Sequence, residues 1–221
     1  MEQKSEILAK DIFNIHDKIN VEKLEEVYLN YKKGIFYVSD RYEPVKITEG
    51  NIWDTEYHDR TWLFWHHCLI CVEYLIDSFY IDRNVKKIQL AFELVEDWYN
   101  VNYPKSPVVM GWHDHSTALR LINILKLYTI FKEYEEVEKC TLLAQIAEKH
   151  IIKLKDTDFY MPKHNHGLDQ DIAILYSAQV MSELENRESL VKLALERLFE
   201  QISRTFSSIY LFNIDKIIKC V

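Results

Sequence analysis

Two short polar segments, each just before a predicted helix, contain four of the nine histidines of the sequence. The first reads Gly-Trp-His-Asp-His-Ser-Thr-Ala-Leu-Arg over residues 111–120. The second reads Phe-Tyr-Met-Pro-Lys-His-Asn-His-Gly-Leu-Asp-Gln-Asp over residues 159–171. The start of a helix favours anions, because its backbone N–H groups are free and its dipole is positive there. Histidine, asparagine and arginine in these segments therefore indicate a site for an acidic ligand.

The same segments also have a purely structural interpretation. Asp114 and Asn165 are residue types that cap helices, and the histidines could be satisfied polar groups of a core. Thr117 and Arg120 are three residues apart and so lie on one side of the predicted helix. The spacing alone favours neither interpretation over the other.

A third cluster, His66-His67-Cys68-x-x-Cys71, contains metal-ligating residue types but lacks the second Cys-x-x-Cys or the His-x-x-x-His of a zinc site. Because it lies in a predicted helix rich in tryptophan and leucine, buried thiols are the favoured interpretation. The four histidines of the two polar segments could hold a transition metal only if those segments meet. The sequence therefore predicts no metal and no cofactor.

The composition and the N-terminus exclude some classes of protein. The net charge is −8 and no stripe of lysine and arginine occurs, so binding to nucleic acid is not expected. No apolar run approaches the roughly 20 residues that a membrane-spanning helix needs. The first residues lack the apolar core of a signal peptide, and the four cysteines lack the spacing of a disulfide framework. We therefore expect a cytoplasmic protein with reduced thiols.

Apolar residues recur with the 3.6-residue period of helices over most of the chain. Glycine and proline, which strand-and-turn proteins use in their turns, occur only four times each. The periodicity predicts about eight helices, near residues 5–19, 21–33, 55–80 and 82–100, from 114 onwards, and near 134–155, 166–184 and 187–207. Long helices with short links pack as antiparallel neighbours. The sequence therefore predicts an all-α fold, either an α/α toroid or an irregular bundle of helical hairpins.

The two polar segments resemble the heparinase II/III-like and alginate-lyase family of polysaccharide lyases. The matching text is Met-Gly-Trp-His-Asp-His-Ser-Thr-Ala-Leu-Arg-Leu over residues 110–121 and His-Asn-His-Gly-Leu-Asp-Gln-Asp-Ile-Ala over residues 164–173. The segments around Trp62-Leu-Phe-Trp65 and Asp97-Trp98 also look like the N-terminal domain of that family. The likeness covers roughly residues 50–207, and its two turns are specific in combination but weak singly.

The resemblance implies an incomplete (α/α) toroid of antiparallel helical hairpins that cleaves uronic-acid polysaccharides by β-elimination without a cofactor. That reaction removes the proton next to the uronate carboxylate, so the carboxylate charge must be neutralised and the developing enolate held by donors. Asn165 and His166 match the residues that do this in the family. The implied partner is an acidic polysaccharide, contacted by Trp112, His113, His115, Arg120, Tyr160, His164 and Gln170.

The sequence departs from the family pattern near its C-terminal end. The family has a tyrosine general base in a segment with Glu-His-Ser-Pro after this region, and a further histidine from a β-sandwich domain. Residues 209–221 instead read Ile-Tyr-Leu-Phe-Asn-Ile-Asp-Lys-Ile-Ile-Lys-Cys-Val, residue types that an AT-rich gene yields out of frame. We expect N-terminal helices and a loop over 1–50, a lyase-like toroid over 51–208 and an atypical tail after it. A truncated lyase of this kind would be inactive alone and could form homo-oligomers through the face left by the β-domain.

Three other functions stay open. One is a glycan-binding accessory protein that uses the same toroid without catalysis. Another is a glycoside hydrolase on an α/α scaffold, with Asp114 and either Asp169 or Asp171 as its two carboxylates, although acids are also common in the first turn of a helix. The last is a helical protein-interaction scaffold. Members of the lyase family are often secreted or periplasmic, in contrast to the cytoplasmic location that the N-terminus predicts.

Overall fold

The structure is a computed structural model that describes residues 20–47, 51–54 and 59–205. Within these ranges the helices are α1 (Val21–Tyr31), α2 (Arg60–His67), α3 (Ile70–Asp82), α4 (Val85–Asn102), α5 (Asp114–Glu133), α6 (Val137–Lys155), α7 (Asn165–Val180) and α8 (Arg187–Thr205). A 3-10 turn spans Val109–Trp112, and the strands β1 (Ile35–Phe36) and β2 (Val45–Lys46) form one short antiparallel pair. The predicted all-α class is confirmed.

The helices form two layers. In the first layer α1, α3, α5 and α7 are neighbours in that order. In the second layer α4 packs on α3, α6 packs on α5, and α8 packs on α7. Because short links join these pairs, each is an antiparallel hairpin with one helix in each layer. This order is that of part of an (α/α) toroid, so the predicted architecture is confirmed.

Helix α5 lies at the centre of the first layer and is buried on almost every side from Ser116 to Phe131. A helix without a solvent face must satisfy its polar side chains inside the core. Lys126 does so with an ion pair to Glu73 of α3, whose atoms are 3.3 Å apart. The polar residues of α5 therefore hold neighbouring helices rather than face solvent.

The helix predicted near 55–80 is wrong in its continuity, because the chain breaks between α2 and α3. Leu69 adopts the left-handed conformation with φ 56°, which ends one helix and starts the next. At the break α5 supplies side-chain donors to backbone carbonyl oxygens, of which the Leu69 oxygen also accepts the N–H of Val72 at 2.9 Å. The amide of Asn123 donates to the oxygens of Cys68 and Leu69 at 3.1 and 3.3 Å, and Arg120 donates to that of His67 at 2.5 Å.

The structure tests the predicted end of α1 but not the predicted first helix. The sequence predicts that Gly34 stops α1 at the C′ position, but α1 ends at Tyr31 with Lys32 as its cap, so Gly34 lies one residue later. Gly34 has the left-handed φ of 70° and donates its N–H to the Tyr31 oxygen at 3.0 Å. The helix predicted near 5–19 lies outside the described residues. None of the helices that the structure describes is long and apolar enough to span a membrane.

Candidate functional site

The two polar segments meet where α5 and α7 begin. The His166 Nδ1 atom of α7 lies 2.7 Å from the carboxylate of Asp114 in α5. In the second pair the helices exchange roles: the His115 Nε2 atom of α5 lies 2.6 Å from the carboxylate of Asp169 in α7. The rings of His115 and His166 stack with their centroids 4.1 Å apart. These four residues, called here the crossed His–Asp pairs, join the two helix starts.

The crossed pairs determine which ring nitrogens carry protons. An ionised carboxylate only accepts hydrogen bonds, so His166 donates from Nδ1 and His115 donates from Nε2. Burial lowers the pKa of His166, and the hydrogen bond from its ring to Asp114 opposes that shift. A neutral His166 therefore keeps Nε2 as a hydrogen-bond acceptor, the state in which imidazole can take a proton or bind a hydroxyl group.

The capping roles considered for Asp114 and Asn165 are wrong, because the caps are one residue earlier. His113 precedes α5 and Asp114 is its first residue, whose carboxylate faces the histidines instead of a backbone N–H group. His164 caps α7, where its Nδ1 accepts the N–H of His166 at 3.3 Å. Asn165 is the first residue of α7, and its side chain is exposed. Its amide is therefore accessible to a ligand.

An open pocket of about 340 Å³ lies beside the crossed pairs, lined by Arg60, Thr61, Phe64, Met110, His113, His115 and His166. We call it the α2–α5–α7 pocket. Arg60 is exposed and near enough to His113 to lower the pKa of that histidine, although burial is the larger cause. The pocket thus combines a cation, an aromatic ring and imidazole groups. These are the groups that hold an acidic sugar by charge, stacking and hydrogen bonds.

Sequence reasoning missed Arg60 because it started the helix at residue 55. Helix α2 begins at Arg60, and the carboxylate of Asp59 caps it by accepting the N–H groups of Thr61 and Trp62 at 2.7 and 3.0 Å. An aspartate followed by residues of a helical stripe is a start signal. That signal could have placed Arg60 at a helix start, in the same kind of position as the two polar segments.

The structure does not support the predicted direct contact between Arg120 and a sugar, because Arg120 is fully buried. Its guanidinium donates to the His67 oxygen, to the Nε2 atom of His150 at 2.8 Å and to the hydroxyl of Thr117 at 3.3 Å. It also lies 3.8 Å from the ring centre of Trp98. The cation therefore serves the end of α2, where helix carbonyl groups favour positive charge.

Trp112 is only half-buried, at the end of the 3-10 turn. Its Nε1 atom donates to the backbone oxygen of Asn102 at 2.6 Å. One neighbour of its ring is His150, and the ammonium group of Lys153 lies 5.0 Å from the ring centre. The tryptophan does not line the α2–α5–α7 pocket. A sugar contact from it remains a prediction.

Tyr160 and Gln170 hold the loop before α7 in place. Gln170 is fully buried, accepts the N–H of Met161 at 3.0 Å and donates to the Phe159 oxygen at 3.1 Å. The hydroxyl of Tyr160 donates to Asp171 at 3.0 Å. Burial makes Gln170 a support of the loop and corrects its predicted role as a direct sugar contact. Tyr160 is partly exposed, and its role toward a ligand remains a prediction.

The histidines and cysteines do not assemble a metal centre in the described part of the chain, where no group of three or more His, Cys, Asp or Glu residues has suitable geometry. Cys68 and Cys71 are buried free thiols, as the sequence analysis favoured. His66 is also buried, stacks between Trp53 and Trp62, and bonds to the Ile52 oxygen at 2.9 Å. This cluster belongs to the core.

Comparison with known proteins connects this fold to polysaccharide lyases. At the level of sequence the chain matches no family model and no curated protein. Among solved structures it is similar to a mutant of heparan sulfate lyase HepC from Pedobacter heparinus, with a TM-score of 0.73 and 12% identity. The enzyme without that mutation gives a TM-score of 0.67 and 11% identity. Each comparison covers 90% of this chain and 32% of the lyase chain, so this chain spans about a third of its neighbours' length.

Proposed function

We propose that the chain is the helical part of a polysaccharide lyase and that its α2–α5–α7 pocket binds the acidic sugar of a uronic-acid glycan. One observation carries the proposal: a cation and two carboxylate-bound histidines converge on one pocket at the N-termini of the helices. The fold shared with heparan sulfate lyase adds support. In this proposal Arg60 attracts the anionic group, and Phe64 packs against the sugar ring.

The β-elimination needs two kinds of group. A base removes the proton next to the carboxylate, the electron pair forms the new C=C bond, and the glycosidic C–O bond breaks with a proton delivered to the leaving oxygen. The amide NH2 group of Asn165 is proposed to donate to the carboxylate, and His166, once Nε2 has also taken up a proton, to neutralise its charge and stabilise the enolate. Asn165 suits this role because it is exposed and precedes His166 in the first turn of α7, although it does not itself line the pocket. No tyrosine lines the pocket among the described residues, so the base is left unassigned.

Binding of heparan sulfate, alginate and hyaluronan oligosaccharides to the full chain tests the proposal, measured by calorimetry at low and moderate salt. Arg60→Gln should weaken binding by roughly tenfold to a hundredfold, because a charge-assisted contact is worth about 1.5–3 kcal/mol. The matched control is Lys192→Gln, which removes the same charge from α8, where the lysine side chain is 76% exposed. Equal affinities for the two variants would contradict the proposed pocket. Asn165→Ala should also weaken binding without changing the thermal midpoint.

The product of the reaction separates the alternatives. For the chain by itself we expect binding without the ultraviolet absorbance of an unsaturated uronate, since no base is assigned. New reducing ends without that absorbance would instead indicate a glycoside hydrolase using Asp114 and Asp169. If a longer chain that contains this sequence binds the glycan but forms neither product, that would indicate a glycan-binding accessory protein. The proposal would be overturned if the chain bound none of the three acidic glycans.

A further inference from the structure

The loop of residues 156–164 leads directly into the crossed His–Asp pairs. Lys163 adopts the left-handed conformation with φ 64° immediately before His164. His164 then accepts the N–H of His166, and the centroids of the two rings lie 4.0 Å apart. The position of the His164 imidazole therefore depends on where this loop lies, and His164 in turn contacts His166, which Asp114 also holds.

Helices α7 and α8 fasten the middle of the loop through a buried polar network. The hydroxyl of Tyr160 donates to the Oδ2 atom of Asp171 at 3.0 Å and accepts the amide of Gln201 at 2.6 Å. Burial and the neighbouring carboxylate raise the pKa of Tyr160 to about 12, so the hydroxyl stays a donor at neutral pH. Tyr160 thus joins the loop to two helices at one point.

Asp171 lies in an unusual environment for a carboxyl group. It is fully buried, and its Oδ1 atom has no hydrogen-bond partner in the described part of the chain. The nearest cation is Arg197 of α8, 3.8 Å away, which already donates to the oxygens of Leu154 and Lys155 at 2.9 and 3.1 Å. Tyr160 and Arg197 are the titratable groups that face Asp171 from the loop and from α8. The amide of Gln201 also donates to Oδ2, at 3.4 Å, so only Oδ1 lacks a donor. A buried carboxylate with one oxygen left without a donor is costlier than the neutral, protonated carboxyl.

We propose that Asp171 is a positioning residue that holds the 156–164 loop against α7 in its protonated form and releases it on ionisation. The loop would thereby place His164 and His166 at the α2–α5–α7 pocket in a pH-dependent way. The effect on the loop stands by itself. Its consequence for glycan affinity rests on the proposed function.

The direction of the pH dependence follows from the geometry of the carboxyl group. Burial raises the pKa of Asp171 from its usual value to about 7, so the closed loop binds a proton more tightly than an open, solvated loop does. The closed form is then most stable below the usual range of an aspartate pKa. It loses stability as the pH rises towards 7 and changes little above that. Between pH 5 and pH 7 the ratio of open to closed loop should rise about tenfold or more.

Amide hydrogen exchange of the full chain, followed by mass spectrometry on peptides covering residues 157–163, measures this ratio. Wild type and Asp171→Asn are compared at each pH, so that the intrinsic exchange rates cancel. The asparagine oxygen can still accept the Tyr160 hydroxyl, but the side chain cannot ionise. From pH 5 to pH 7 we expect protection in wild type to fall by about tenfold or more relative to that in Asp171→Asn. Asp158→Asn, which neutralises an exposed acid in the same loop, should behave like wild type.

Two results would overturn the proposal. One is the same ratio of wild type to Asp171→Asn at both pH values. The other is a loop that is already open in Asp171→Asn at pH 5, which would mean that the ionised carboxylate holds it. Tyr160→Phe, which lacks the donor, should open the loop at both pH values and supports the network if it does. A pH-dependent loop in a chain that binds no acidic glycan would leave this inference standing and overturn the proposed function.

Discussion

Replacing Gly167 with alanine should destabilise the protein, although alanine favours a helix more than glycine does. Gly167 lies in the first turn of α7, where an added Cβ would be 2.2 Å from the Met161 carbonyl oxygen and 2.9 Å from the Gln201 amide nitrogen. An ordinary contact is about 3.5 Å or longer, so the shorter distance would have to grow by more than about 1 Å. Met161 cannot retreat freely, because Gln170 binds its N–H. The backbone of the loop or of α7 must therefore shift.

The expected cost follows from two opposing effects. Overpacking of this kind costs about 1–3 kcal/mol, whereas helix propensity alone returns at most about 1 kcal/mol. The net loss should be about 1–2 kcal/mol, which lowers the thermal midpoint by roughly 2–4 °C for each kcal/mol in a protein of this size. Urea unfolding and calorimetry measure both values.

A control separates the clash from the substitution itself. Gln145→Ala, at an exposed position of α6, should leave the midpoint unchanged. Gly167→Ala should also weaken binding of acidic oligosaccharides, since Asn165 and His166 precede it in the same turn. A midpoint for Gly167→Ala that equals or exceeds that of wild type would refute the reasoning. The helix propensity would then act alone and the close approach to Met161 would be incorrect.

Two further predictions concern the core. Arg120→Met should lower the free energy of unfolding by about 2 kcal/mol or more, because the His67 oxygen and the His150 ring lose their buried donor; an unchanged urea midpoint would contradict this. Burial lowers the pKa of His66 to about 4 and the pKa values of His67 and His150 below their usual range. As the pH falls below about 6.5, these histidines therefore take up protons in the unfolded protein before they do so in the folded protein. Each can lower the free energy of unfolding by up to about 1.4 kcal/mol per pH unit. Asp171 offsets part of this loss, because its pKa is raised on folding and not lowered. Urea midpoints that stay level between pH 6.5 and pH 5 would contradict the net loss of stability.

The sequence predicted the features that depend on neighbouring residues. The 3.6-residue period predicted the helices, and Gly34 marked the end of α1 to within two residues because glycine suits the left-handed turn after a helix. The break at Leu69 could not be predicted in this way, since leucine disfavours the left-handed conformation. It depends on Asn123, which lies more than 50 residues further along the chain and bonds to the oxygens on both sides of the break. Asp114 likewise resembles a cap in sequence, and only the fold brings His166 to it.

Arg120 illustrates the same limit. Its place in the motif suggests a sugar contact, whereas in the structure it is buried and donates to the end of α2. A motif records that a residue is needed beside a turn, but not whether it faces the ligand or the core. Arg120 binds the C-terminal end of α2, and Arg60 lies at the other end of that eight-residue helix, about 12 Å away. We expect loosening of the C-terminal end of this helix to displace Arg60 as well. Loss of glycan binding in Arg120→Met would therefore be accompanied by loss of stability, whereas Arg60→Gln should lose binding alone. That difference separates a residue that positions the pocket from one that contacts the sugar.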